Sequence, residues 1–131
     1  MGGRGSFALG KDVKKTYKTV SKIGKAKVLV GIGKEHSLPV ESHSANAMYI
    51  KLKPDGTFHE LRVFDEDKYL KFEIAYHPEP NINYGDCISP MLHIHELKNR
   101  NDFSYTSRTT RKLTKKEFDK YKKYFIGVTL W

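Results

Sequence analysis

The chain has 131 residues, 38% of them hydrophobic, which suits one compact domain with a modest core and leaves too little for a second. Its single cysteine excludes an intramolecular disulfide, and no apolar run reaches the length of a membrane span or a signal-peptide core, so the expectation is a soluble, intracellular protein without a membrane partner. The net charge of +9 is segregated: residues 1–34 carry nine Lys/Arg against Asp12, residues 98–131 carry ten against three acids, and the stretch between them holds five basic and eleven acidic side chains. Such a distribution can make two faces of opposite potential, one of which steers the protein toward an anionic partner, although lysine-rich ends are also the commonest solubilising device.

Gly2-Gly3-Arg4-Gly5-Ser6 cannot bury enough apolar surface to offset chain entropy, so residues 1–10 are expected to be a disordered basic tail ahead of a single domain over 11–131. Val13, Tyr17 and Val20 recur at helical spacing and predict an N-terminal helix over Lys11 to Lys25, with Thr16 and Thr19 weighing against it. Lys27 to Ile32 is a short β-branched run that reads as a buried strand before the Gly33 break.

Met48, Ile50 and Leu52 then alternate with Tyr49, Lys51 and Lys53 up to Pro54-Asp55-Gly56, where proline presets φ and glycine is free to take a positive one. A hairpin partner over Thr57 to Phe64 follows, then an acidic turn over Asp65 to Lys68 and a third strand over Tyr69 to His77, with Leu70, Phe72, Ile74 and Tyr76 expected on one face and His77 on the other. Glu79 to Pro90 is a loop rich in proline and asparagine, and Met91 to Leu97 alternates again, placing His93 and His95 on one side. Thr114-Lys115-Lys116-Glu117 is a capping box, flanked by Leu113 and Phe118 at the positions of a hydrophobic staple; Phe118, Tyr121 and Phe125 form the apolar stripe of the helix and Gly127 its stop. The predicted fold is therefore α+β: an antiparallel meander of about four to five strands, with a C-terminal helix packed on one face.

His77, Cys87, His93 and His95 fall within nineteen residues, and the spacing H-x9-C-x5-H-x-H offers the four borderline ligands that a tetrahedral zinc ion takes. All four as ligands would make a closed structural site, a staple across the loop between residues 77 and 95. Without Cys87, three histidines and an open position would resemble a hydrolytic zinc site. The plainer alternative is that a histidine beside a proline, as at His77-Pro78, lies on a solvated loop and that a lone cysteine is a small buried hydrophobe.

Leu38-Pro39, Asn46, Tyr49 to Leu52, Asp55-Gly56, Arg62, Phe64-Asp65, Glu73 to His77, and Pro90 with His93 and His95 together resemble a module of small proteins from phages and mobile elements of Gram-positive bacteria, encoded near or fused to minor head proteins. The opening Met1-Gly2-Gly3-Arg4-Gly5-Ser6 looks like theirs, and the resemblance covers about residues 38 to 96. It implies that His77, His93 and His95 act as one unit. The chain departs from the pattern where Pro78 replaces a frequent second histidine and where Glu96 stands near an expected tryptophan. Zinc-containing phage products of this size resemble anti-CRISPR proteins, which occupy a surface of Cas9 and stop it loading or cutting DNA.

Three functions follow as expectations. The first is a zinc-stapled binding protein, working in the cytoplasm of a bacterial host, that docks on a large host protein or nucleoprotein such as Cas9. Its contacts would come from the basic ends (Lys14, Lys15, Lys18, Lys115, Lys116, Lys120) and the acidic middle (Glu60, Asp65, Glu66, Asp67). The second is a phage-linked RNase toxin using His36, His43 and His59 with Glu41, Glu60 and Arg62. The third is a nonspecific nucleic-acid-binding module that combines the lysine-rich ends with Tyr17, Tyr105, Tyr121 and Tyr124.

Overall fold

The computed structural model describes residues 17–31, 38–39, 42–99 and 107–128. Seven strands form one sheet in sequence order: β1 (Tyr17–Ile23), β2 (Ala26–Gly31), β3 (Met48–Leu52), β4 (Phe58–Phe64), β5 (Leu70–His77), β6 (Met91–Leu97) and β7 (Arg108–Lys112). Every neighbouring pair is antiparallel except β2 and β3, which run parallel with Val28 opposite Ile50. A short helix, α1 (Lys115–Tyr121), continues into a 3₁₀ turn over Lys122–Tyr124. The α+β class holds, with more strands than expected.

The two extra strands, β1 and β7, correct the sequence reading. Tyr17 to Ile23 is a strand and not the C-terminal part of a helix; residues 11–16 of the expected helix, like the expected tail over 1–10, lie outside the described residues. The β-branched Thr19, Val20 and Ile23 favour the extended chain, and Gly24, at φ +56°, leads a two-residue turn that pairs Ile23 with Ala26. Strand β7 carries no alternation signal, since Arg108-Thr109-Thr110-Arg111-Lys112 has no apolar residue: it is an edge strand, and charge and β-branching suit an edge.

The central hairpins fold as their turns dictate. At Lys53 to Thr57 the chain reverses with Gly56 at φ +88°, and the Asp55 Oδ1 accepts from the Thr57 amide and hydroxyl. Between β4 and β5, Asp65 plays the same part by accepting from the amides of Asp67 and Tyr69, while Lys68 takes φ +73°. A bulge near Val63 and Phe64 then shifts the pairing so that Phe64 faces Leu70. Leu70 thus packs with Leu29, Leu38, Tyr49 and Phe64, away from the row of Phe72, Ile74 and Tyr76 with which strict alternation had grouped it.

One face of the sheet is the main core. Val28, Ile50, Leu61, Ile74 and Ile94 lie in register across five strands, all nearly inaccessible to solvent. The C-terminal segment covers them, with the Phe125 ring 4.9 Å from that of Phe58 and Tyr121 5.7 Å from Phe72. The helix begins where its sequence requires: Thr114 accepts from the Glu117 amide, Glu117 accepts from the Thr114 amide, and Arg111 clasps the same carboxylate through two guanidinium nitrogens. Gly127, at φ +78°, lies so close to Thr57 that a Cβ there would collide with its methyl group. No helix among the described residues is long and apolar enough to cross a membrane.

Candidate metal centre

The other face of the sheet is built from charge. The register that aligns Ile50, Leu61, Ile74 and Ile94 also aligns Tyr49, Arg62, Glu73, His95 and Thr110 one residue away, on the opposite side. Arg62 and Glu73 are both buried and joined at 2.6 Å, and the Arg62 guanidinium also donates to the carbonyls of Leu38 and Pro39. This ties the 38–39 segment down onto the sheet and satisfies a charge that would be costly to bury alone.

In the adjacent row, Ala75 faces His93, and His77 faces Met91. Ala75, itself fully buried, presents only a methyl group at that position. His77, His93 and His95 then converge, each offering a ligand atom within 4.8 Å of the others. Neighbouring rings stand nearly perpendicular, with centroids 4.6 Å apart for His77 and His93 and 4.9 Å for His93 and His95. The expectation that these three histidines form one unit holds.

Hydrogen bonds fix the rings for ligation. The Nδ1 of His77 lies 2.9 Å from the Pro78 carbonyl and that of His93 2.9 Å from the Met91 carbonyl; that of His95 sits 3.3 Å from the Thr109 carbonyl and 2.9 Å from the Thr110 hydroxyl. A carbonyl only accepts, so the Nδ1 of His77 and of His93 donates to it, and the Nδ1 of His95 does the same toward Thr109; a neutral ring protonated there turns a lone pair on Nε2 toward the cluster. Metal-binding histidines use the same arrangement, with the far nitrogen held by a carbonyl or carboxylate. His93 is fully buried, and its Nε2 has no hydrogen-bond partner among the described residues. Burial pushes the His93 pKa down to about 4, and desolvation also lowers that of His95, so both rings are neutral and ready to coordinate. A buried nitrogen without a partner costs roughly 1–3 kcal/mol, a deficit that a bound cation removes.

Cys87 does not join this group. It lies exposed in the loop after β5, with its thiol on the Gly85 carbonyl. Tyr84 and Gly85, both at positive φ, turn the chain, and the Asp86 carboxylate accepts from the amides of Ile88 and Ser89, so the loop closes on itself with Cys87 outward. The acid that does approach is Glu79, whose Oε2 is 3.9 Å from the His93 Nε2. Sequence spacing gave Glu79 no prominence, although its place two residues after His77 was the available signal.

The remaining expected site residues are scattered. Lys18 is exposed on β1, and Lys115, Lys116 and Lys120 are exposed on α1; Lys14 and Lys15 lie outside the described residues. Glu66 and Asp67 are exposed, Asp65 caps its turn, and Glu60 is partly buried with its pKa raised by desolvation and by the nearby Glu73. Of the residues considered for RNA cleavage, His36 and Glu41 lie outside the described residues, and the His43 amide donates to the Tyr49 hydroxyl. Arg62 is committed to Glu73 and two carbonyls and is no phosphate contact. His59 is the extra residue of a β4 bulge opposite Lys51 and Leu52, its ring 6.0 Å from that of His77. Of the tyrosines considered for base stacking, Tyr105 is outside the described residues, Tyr17 and Tyr121 are half-buried, and Tyr124 is buried with its hydroxyl against the Met48 sulfur. Comparison of the chain with protein-family models, with curated proteins and with solved structures finds no match.

Proposed function

We propose that this chain is a non-enzymatic binding protein whose polar sheet face is fastened by one structural zinc ion, and that it acts by docking on a host defence nucleoprotein. The observation that carries the zinc reading is the fully buried His93 Nε2, without a hydrogen bond among the described residues and flanked by two more imidazoles whose Nδ1 atoms are already engaged. Zinc suits the donors, since neutral imidazole is among its commonest ligands at about 2.0–2.1 Å. The burial of His93 and His95 favours architecture over catalysis, because a hydrolytic site needs room for substrate beside the ion.

The docking half of the proposal draws on charge and on the phage-module resemblance. Lys25 from the β1–β2 turn, Lys71 from β5, and Lys120 and Lys123 from the C-terminal helix and its 3₁₀ turn surround a cavity of about 370 Å³ beside Asn46 and Tyr121. Converging lysines without an intervening carboxylate attract a polyanion such as the nucleic acid of a ribonucleoprotein. The resemblance to phage and mobile-element proteins makes a Cas9-type RNA-guided nuclease the first partner to test.

The test is to mix the purified, metal-loaded chain with guide-loaded Cas9 and measure both complex formation and target cleavage. A stable complex, blocked cleavage and intact RNA are expected. Hydrolysis of RNA that a single histidine substitution abolishes would replace this function with a nuclease, and the absence of any complex would remove Cas9 as the partner.

A further inference from the structure

Three imidazoles leave a tetrahedral ion one ligand short. Resting on the zinc reading above, we propose that the fourth ligand is the Glu79 carboxylate and not the Cys87 thiolate, which makes the centre an all-nitrogen-and-oxygen site for a divalent first-row cation.

Distance is the first argument. Two atoms each about 2.0–2.2 Å from a tetrahedral zinc ion lie about 3.3–3.5 Å from one another. The Glu79 Oε2 stands 3.9 Å from the His93 Nε2, too far for a hydrogen bond and about half an ångström wider than a pair of ligands on one ion. The three histidine ligand atoms, within 4.8 Å of one another, close on an ion by a larger contraction, up to about 1.4 Å for the widest pair.

Orientation is the second. The other Glu79 oxygen, Oε1, accepts from the Asn81 side-chain Nδ2 at 3.3 Å, which turns Oε2 toward the imidazoles in the manner of the outer partners that hold metal-binding carboxylates. The Glu79 side chain is only 15% exposed although its segment is a loop. Its backbone carbonyl accepts from the Ile82 amide and that of Pro80 from the Gly85 amide, so the turn is closed with Glu79 at its base.

Cys87 is excluded by the same local bonds. Bringing its sulfur to the histidines requires breaking the Asp86 contacts to Ile88 and Ser89 and the thiol contact to Gly85, then burying an exposed segment. Nothing comparable has to break for Glu79. A carboxylate also changes the chemistry of the centre, since three imidazoles and a hard oxygen suit zinc, cobalt or iron in the divalent state, whereas a thiolate would draw the site toward soft ions such as cuprous copper.

Cobalt distinguishes the two ligand sets, because a bound thiolate adds an intense sulfur-to-cobalt charge-transfer band in the near ultraviolet that nitrogen and oxygen ligands lack. Metal-free protein is titrated with cobalt(II) for the unsubstituted chain, Cys87→Ser and Glu79→Gln, with far-ultraviolet circular dichroism confirming that each is folded. The expected result is one cobalt per chain with tetrahedral visible bands and no near-ultraviolet band, an unchanged spectrum for Cys87→Ser, and affinity lower by about tenfold or more for Glu79→Gln. A near-ultraviolet band that disappears in Cys87→Ser, or Glu79→Gln affinity within about twofold of the original, overturns the assignment while leaving the histidine centre in place. Failure of the unsubstituted chain to bind cobalt or zinc removes the centre itself.

Discussion

The two faces of the sheet solve burial in opposite ways. Under the C-terminal helix, the row from Val28 to Ile94 is held by apolar area and close packing, forces that act at any pH and with or without metal. On the reverse face, Arg62, Glu73, His93 and His95 are buried just as deeply, but each is tolerable only because a named partner satisfies it. For the His93 Nε2 no such partner stands among the described residues, and on the reading proposed above a metal ion supplies it. The apolar face therefore carries most of the stability, and the polar face carries the specificity and the sensitivity to conditions.

Substitutions on the two faces should separate these roles. Phe58→Ala empties a fully buried aromatic site against Phe125 and should cost about 3–5 kcal/mol in urea unfolding, by the same amount with zinc or with chelator. A loss that depends on metal would place Phe58 in the same cooperative unit as the histidines and erase the contrast. On the polar face, Arg62→Ala strands the Glu73 carboxylate and should cost a similar 3–5 kcal/mol or so, yet Arg62→Met combined with Glu73→Leu should recover much of that loss. Should the double variant be no better than the single one, the guanidinium contacts to Leu38 and Pro39 outweigh the ion pair.

At the helix start the effects are smaller. Thr114→Ala should cost about 1 kcal/mol through the lost cap. The hydrogen bonds from Arg111 and its charge hold the Glu117 pKa down at about 2, against an ordinary 4.5. Because the unfolded chain takes up that proton first, the stabilisation from Glu117 is complete above pH 4.5 and is lost as pH falls from there toward 2. Acid unfolding curves of Glu117→Gln should lack that component, and identical curves would show that Arg111 contributes nothing through this carboxylate.

Much of this was legible in the sequence. Alternation of apolar and polar residues marked β3 to β6, and the capping box marked α1, because each signal depends on neighbours a few residues away. The histidine cluster was visible for the same reason: His93 and His95 share a face by parity, and β5 pairs with β6 so that His77 ends beside them. What stayed hidden depended on bulges, edges and loops. Leu70 changed face at a bulge, β7 had no apolar alternation because it lies at the edge, and Tyr17 to Ile23 carried spacing compatible with a helix until its pairing with β2 decided it. Cys87 was grouped with the histidines by proximity in sequence, but a loop stabilised by its own turn contacts sends it outward and turns Glu79 inward.

The most direct measurement is the zinc content of the purified chain together with its thermal stability before and after chelation, for the unsubstituted protein and for His93→Ala. We predict one zinc ion per chain and a loss on chelation worth about 4 kcal/mol where free zinc stands roughly a thousandfold above its dissociation constant. His93→Ala should hold no zinc and should unfold identically with or without chelator. A chain that is purified without zinc, binds none when it is supplied and melts at the same temperature throughout would contradict the account.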